Sequence, residues 1–337
     1  MRVPPLSVTF NKSPAASGDI HDYFSEGTYW WPDPKNPDGP FIRRDGEIYP
    51  DSFQHHLNDL DKLSSSVVVL AEAGVYLGER QYLDRAAELM RVWFIDEKTM
   101  MNPHLEYAQA IRGVCNGRGI GIIDTKRLIR VVHAASLLDY IGGYEVITSG
   151  LRVWFWRYSR WLATSENGTY ARDYFNNHSN WYNTQIASFM TFVNGNARHY
   201  FTHFLEKIIS KQTGEDGSFT DELTRTKSYT YSAFNLEACT VLARLAECQG
   251  FDLWNATAEN GRSIKRSIEF FKPFYENPFL WRHAQIHADE GMFGEDASMK
   301  MAAEAYGDAT LEKINKSKRK NAIPMRKVTH IGLIDLL

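Results

Sequence analysis

The sequence has no apolar run approaching the ~18 residues that would cross a bilayer, which excludes a helical membrane span. Its start, MRVPPLSVTF, lacks the basic residues, apolar stretch and small-residue cleavage site of an export signal. Cysteine is scarce. Cys115, Cys239 and Cys248 are an odd set whose spacing fits neither a metal knuckle nor a disulfide framework, so the fold is not built on disulfides. An excess of one charge is missing too: Lys+Arg 38 against Asp+Glu 41 gives a net charge of -3. No block of like charge precedes the Lys/Arg-rich stretch 316–327, which argues against nucleic acid as a partner held by bulk charge. Alternating β-branched runs of strand length are few, and no internal repeat appears.

What the chain does have is aromatic residues: 9 Trp, 17 Tyr and 19 Phe, or 13% of 337 residues. Several Trp and Tyr stand in polar, Pro/Gly-rich segments, where a ring with an apolar face and a polar edge suits stacking on a sugar. The first 50 residues carry Pro4, Pro5, Pro14, Pro32, Pro34, Pro37, Pro40 and Pro50, a density that excludes regular helix. From about residue 54 apolar residues recur at three and four. Leu57–Leu60–Leu63–Val67–Leu70, Tyr82–Ala86–Leu89–Trp93, Leu128–Val131–Ala135–Leu138, Val153–Trp156–Leu162, Ile186–Phe189–Phe192, Tyr200–Phe204–Ile208, Leu236–Val241–Leu245 and Ile264–Ile268–Phe271 each give a helix one apolar face. The fold class is therefore all-α. Gly/Asn-rich breaks at Gly74, Gly142-Gly143, Asn194–Asn196 and Gly250 separate the helices, and short connections pair successive helices antiparallel, either in an open array or closed into a ring. Three regions follow: an irregular N-terminal arm over 1–53, a helical domain over 54–313 and a basic tail over 314–337.

The passage from Met100 to Asp124 breaks the helical rhythm and holds His104, Gln109, Arg112 and Arg118 beside glycines. It is either a binding surface or a structural loop. Three further segments concentrate polar and aromatic groups. In the arm, Tyr29-Trp30-Trp31 between prolines, with Arg43-Arg44, present rings to a pyranose and guanidinium groups to a carboxylate. Consecutive rings in extended chain point to opposite sides, so Trp30 and Trp31 are poor core material. Next, Asn176-Asn177-His178-Ser179-Asn180-Trp181 runs into the apolar helix beginning near Ile186, at a helix start where free N–H groups and the dipole favour an anion. Finally Arg225, Lys227, Tyr229 and Tyr231 precede the helix containing Leu236, and a nearby cation makes a tyrosine easier to deprotonate.

These segments supply Asn, His, Arg and Tyr, without an obvious pair of catalytic carboxylates. Glycosidic hydrolysis normally needs such a pair. β-Elimination from a uronic acid needs different groups. Its C5 proton, α to a carboxylate, becomes removable only when the enediolate is stabilised by donors or positive charge. Asn177, His178 and Arg225 supply that stabilisation. A phenol or imidazole takes the proton, and an acid protonates the leaving O4.

Tyr29–Asp33 with Asp38-Gly39, Arg43–Gly46, Asn102-Pro103, Gly117–Thr125, Asn176-Asn177-His178 and Glu222–Thr226, in that order, resemble the alginate lyase superfamily over about residues 8 to 310. The resemblance implies an (α/α) toroid, or an incomplete α/α barrel because the chain begins almost at the YWW motif. It also implies a polysaccharide lyase acting on 1,4-linked uronate in alginate or a related acidic polysaccharide. Asn177, His178 and Arg225 fall on the residues that neutralise the substrate carboxylate. Tyr231 falls on the tyrosine that serves as base and acid, with Tyr229 as competitor because the spacing from Arg225 is one residue short. The YWW loop resembles a lid. Tyr29, Trp30, Trp31, Arg43, Arg44, Gln109, Arg118, Asn176, Trp181, Tyr229 and Gln285 form the expected substrate-binding set. No metal or other cofactor is expected, and the family implies a periplasmic or secreted location.

Other readings compete. His283 and His287 lie four apart, with Asp289 and Glu290 following, as a candidate metal pair without an evident third ligand. A non-catalytic carbohydrate-binding protein and a glycoside hydrolase on the same fold are the functional alternatives.

Overall fold

A computed structural model describes residues 4–286, 292 and 296–321. The chain forms two compact units, one of residues 1–171 and 188–195 and the other of 172–187 and 196–337.

In the first unit the arm carries three short strands, β1 (Phe24–Glu26), β2 (Trp30–Trp31) and β3 (Ile42–Arg43). Helix α1 (His55–Leu77) follows, then α2 (Arg80–Phe94), strand β4 (Tyr107–Ala110), a 3-10 stretch at Gly119–Arg127, α3 (Leu128–Ile141), α4 (Glu145–Thr164) and α5 (Glu166–Arg172). Of the predicted face of α1, Leu60, Leu63 and Val67 are fully buried while Leu57 and Leu70 are only partly so; Ala71 is buried with them, and α1 packs on both α2 and α3. The α1–α2 turn needs glycine in two ways. Gly78 ends α1 in the left-handed region at φ 69°, and a Cβ on Gly74 would come within 2.6 Å of Leu83 on α2.

The arm belongs to the same compact unit as α1 to α4. Tyr23 and Phe24 are buried, β1 pairs in parallel with β4, and His56 on α1 ties the arm down. The His56 Nδ1 accepts from Phe24 N at 3.0 Å while its Nε2 donates to the Asn11 carbonyl at 2.8 Å. The Met100–Asp124 passage is built in as well, through β4 and the 3-10 stretch. A Cβ on Gly117 would run into the Glu106 carbonyl, so its glycines serve close backbone packing.

The second unit receives the first part of helix α6 (Asn177–Phe192), whose residues from Ser188 onward belong to the first. Next come α7 (Arg198–His203), a π-helical segment Phe204–Ile209 and the short α8 (Ser210–Gln212), where the Tyr200–Phe204–Ile208 period predicts unbroken α-helix. Then follow α9 (Thr220–Leu223), α10 (Ser228–Cys248), α11 (Ile264–Glu276), α12 (Ala297–Tyr306) and α13 (Ala309–Asn321). Helix α13 runs through residue 314, so the expected boundary there falls inside an element; the tail from 322 lies outside the described residues.

Two helices start earlier than the apolar pattern predicts. Helix α6 begins at Asn177 rather than near Ile186, and its first turns are lined with buried amides and hydroxyls. Apolar periodicity missed this because the polar groups bond one another. Asn180 donates to Gln212 Oε1 at 3.1 Å and to Asn235 Oδ1, Gln212 Nε2 donates to Ser179 Oγ at 2.6 Å, and Thr184 Oγ1 donates to the Ala238 carbonyl at 2.9 Å. Helix α10 likewise begins at Ser228, which puts both candidate tyrosines in its first turn.

Candidate active site

The second unit gathers Asn177, Arg225 and Tyr231 around a residue to which the sequence reading gave no role, Glu222. Its Oε1 accepts from the Asn177 backbone N–H at 2.8 Å and from Asn177 Nδ2 at 2.7 Å. The anion expected at the start of α6 is thus the protein's own carboxylate. The other oxygen, Oε2, faces Arg225 Nη1 at 3.7 Å, and the Arg225 guanidinium carbon lies 3.7 Å from the centroid of the Tyr231 ring. Glu222 is 0% exposed. Burial pushes its carboxyl above the ordinary range, against the pull of the Asn177 bonds and Arg225. Glu222 and Arg225 are three apart across the end of α9, a spacing that places side chains near one another; this is the signal in the sequence that could have found it.

His178 follows Asn177 in the first turn of α6. Its backbone N–H donates to Asn176 Oδ1 at 3.2 Å, and its ring, half-buried, meets Tyr174 edge-on at 5.6 Å. Asn176 is buried, and its carbonyl accepts from Ser179 Oγ and Gln212 Nε2.

Tyr229 and Tyr231 are two apart on one helix, about 200° around its axis, and they part accordingly. Tyr229 is 2% exposed, packed against Phe271 and Trp281, and burial pushes its phenol well above its ordinary range. A buried phenol so hard to ionise is poorly suited to act as a base. Tyr231 is half-buried beneath Arg225. Trp181 is corrected in the same way: at 0% exposed and packed on Phe234, it has no face to offer a sugar. Gln285 fastens the start of α10. Its Oε1 accepts from Tyr229 N at 3.1 Å, its Nε2 donates to Thr230 Oγ1 at 3.0 Å, and the flanking backbone bridges to Lys227.

The first unit holds the remaining expected residues. Strands β2 and β3 pair with Trp30 opposite Arg43 and Trp31 opposite Ile42, and the two indoles go to different sides. Trp30 lies under Arg118, with the guanidinium 5.6 Å from the ring centroid. Trp31 lies under Arg44 at 4.8 Å, beside Tyr49, and its Nε1 donates to the Glu47 carbonyl. Tyr29, half-buried, accepts from Arg44 N at its carbonyl. Arg43 is exposed and paired with Asp45 at 2.7 Å. Arg118 donates twice to Gln109, to the carbonyl at 3.1 Å and to Oε1 at 3.0 Å. Gln109 adopts φ 50°, rare for a residue with a side chain, and its Nε2 donates to the buried Asp124 at 3.0 Å. Asp124 also accepts from Tyr23 OH and Ser25 Oγ, and burial pushes its carboxyl up. Arg112 is spent on Glu26, with bonds of 2.6 and 2.8 Å.

No group of three His, Cys, Asp or Glu among the described residues is placed to hold a metal ion. His283 packs on Trp281; His287, Asp289 and Glu290 lie outside the described residues. No helix among the described residues is long and apolar enough to cross a membrane.

Residues 7–281 match the alginate lyase family. The crystal structure of an alginate lyase from Bacteroides ovatus is 32% identical, covers 94% of this chain and 86% of that one, and superposes with a TM-score of 0.88. Alginate lyase A1-III from Sphingomonas species A1 is 18% identical over 91% of this chain and 82% of its own, at a TM-score of 0.53. A histidine-to-alanine variant of alginate lyase A1-III, complexed with tetrasaccharide, is 17% identical over 91% of this chain and 81% of its own, at 0.57. At those lower identities the likeness shows the fold alone. Among curated proteins none matches. The chain belongs to the alginate lyase family. It is a polysaccharide lyase, and the α/α toroid class expected from the sequence is the fold of these neighbours.

Proposed function

We propose that the protein cleaves a 1,4-linked uronate polysaccharide, alginate or a related polyuronate, by β-elimination in the second unit. The observation that carries this reading is the Asn177–Glu222–Arg225–Tyr231 cluster, in which a guanidinium stands directly over a phenol ring. Arg225 and the Asn177 amide supply positive charge and a donor to the substrate carboxylate, where charge grows as the enediolate forms. Tyr231 takes the C5 proton as phenolate, C4=C5 forms as the C4–O4 bond breaks, and the phenol returns a proton to the leaving O4. His178 serves as base instead when the C5 proton lies on the opposite face, leaving Tyr231 as acid.

A hydrolase reading fits this cluster poorly, because its carboxylate, Glu222, is fully buried and engaged by Asn177. Two accessible carboxyls flanking a glycosidic bond are needed for hydrolysis. In the first unit, Trp30 under Arg118 and Trp31 under Arg44 pair a ring with a guanidinium, which suits an acidic sugar. A periplasmic or secreted location fits a polymeric substrate and is tested by cell fractionation.

The reaction is tested by incubating the protein with alginate, glucuronan and heparinoid oligosaccharides and following ultraviolet absorbance. Unsaturated product is expected. New reducing ends without absorbance would replace elimination by hydrolysis.

A further inference from the structure

The group at the centre of the cluster takes no part in the proposed proton transfers. Glu222 is 0% exposed, so its carboxylate touches no substrate. A buried charge is costly unless it is paired and hydrogen-bonded. Here one oxygen takes both donors of Asn177, at 2.8 and 2.7 Å, and the other takes the field of Arg225 Nη1 at 3.7 Å. The bonding has a directional consequence. A carboxylate only accepts, so it dictates which end of the Asn177 amide faces it. The flipped amide would turn Oδ1 onto negative charge and is excluded. Nδ2 is thereby fixed, with a second N–H left for another acceptor, and the backbone bond pins the residue that precedes His178. On its other side the same carboxylate faces Arg225 as an ion pair at 3.7 Å, and Arg225 sits over Tyr231.

We infer that Glu222 is a positioning residue of the lyase reaction, setting the Asn177 amide and the Arg225 guanidinium at a fixed separation so that both meet one substrate carboxylate. The inference rests on the elimination proposed above for the same site. A purely structural carboxylate would be expected to stabilise the fold. Burial instead raises the carboxyl pKa, so the fold favours the protonated form: the stability this gives is full below the ordinary value of 4.5 and is lost as pH rises through the folded value. An ionised carboxylate at this site is therefore held at some expense of stability, by the Asn177 donors and the Arg225 charge.

The test uses the full chain with Glu222→Gln, nearly isosteric, and Glu222→Ala. Glu222→Ala is expected to lower kcat about 10²-fold, the scale of losing well-aimed electrostatic stabilisation, with KM changed less than about threefold. Glu222→Gln should lose about tenfold while its Tm stays equal to or above that of the parent. Asn177→Ala combined with Glu222→Ala should be no slower than about threefold below Asn177→Ala alone, because one acts through the other. Full kcat in both Glu222 variants, or losses that multiply fully in the double variant, would overturn the inference. A loss of kcat in Glu222→Gln that only follows a fall in Tm would overturn it too. If the parent yields no unsaturated product from any polyuronate, the elimination reading fails by itself. Glu222 is then judged by calorimetric Kd for a uronate tetrasaccharide: about tenfold weaker binding in Glu222→Ala supports it, and an unchanged Kd overturns it.

Discussion

The two units each centre a polar cluster on a buried carboxylate, and the two clusters differ in how that carboxylate is satisfied. Asp124 in the first unit accepts from three neutral side chains, Tyr23, Ser25 and Gln109, at 3.1, 2.6 and 3.0 Å. Gln109 then locks Arg118 by two bonds and Arg118 covers Trp30. Glu222 in the second unit gives one oxygen to Asn177 and turns the other to Arg225, which covers Tyr231. One arrangement ends on an indole, which can stack but not exchange a proton at neutral pH. The other ends on a phenol, which can do both. The same parts, buried acid, amide, guanidinium and ring, thus make a platform that can only stack in one place and, on the function proposed above, a reacting centre in the other.

The largest effect that would break this contrast is loss of the phenol. Tyr231→Phe keeps the ring beneath Arg225 and removes only the proton carrier, so kcat should fall about 10³-fold, within the range for general acid–base groups, with KM little changed. Initial rates of ultraviolet absorbance measure it, and a variant as fast as the parent would move the proton transfer to His178. Next in size is Asp124→Ala. It strands the Tyr23 hydroxyl, Ser25 hydroxyl and Gln109 amide in a buried site, and urea unfolding should show a cost of about 3 kcal/mol. The contrast predicts the reverse order for function. Asp124→Ala should hurt stability more than rate, and Glu222→Gln rate more than stability; equal behaviour would erase the distinction between platform and centre.

Much of this was legible in the sequence. The apolar spacing located the long helices, and the segments holding Asn177, Arg225 and Tyr231 were picked out as candidates, because short motifs keep residues together on a turn. What escaped was burial. Trp181 and Tyr229 look like exposed aromatics in polar segments, yet both face the core, since α6 and α10 begin earlier than their apolar stripes and a helix rotates neighbours to different sides. Glu222 and Asp124 stand in plain view inside the motifs, but a carboxylate reads as a surface residue until its donors, up to 101 residues away in the chain for Tyr23, are placed. Arg112 misled for the same reason, its partner Glu26 being 86 residues distant.

The smallest effect concerns pH, where the two units carry groups of opposite sign. Glu222 contributes stability that is lost as pH rises, whereas His56 in the first unit does the reverse. Burial holds the His56 imidazole below its ordinary 6.5, outweighing the Asn11 carbonyl and Asp59, which pull it up. Only the neutral ring can accept the Phe24 N–H at Nδ1 while donating from Nε2. The unfolded chain takes up this proton as pH falls below about 6.5, and the folded chain resists, so the stability His56 supplies is full above that value and shrinks below it. Between pH 7.5 and 5.5 the parent should lose up to about 1 kcal/mol in urea unfolding from this residue, a loss absent in His56→Gln, whose amide also accepts and donates but does not titrate. An identical pH slope in the two proteins would mean that the arm is held to α1 by its apolar residues, Tyr23, Phe24 and Phe53, and that the imidazole is a passive spacer.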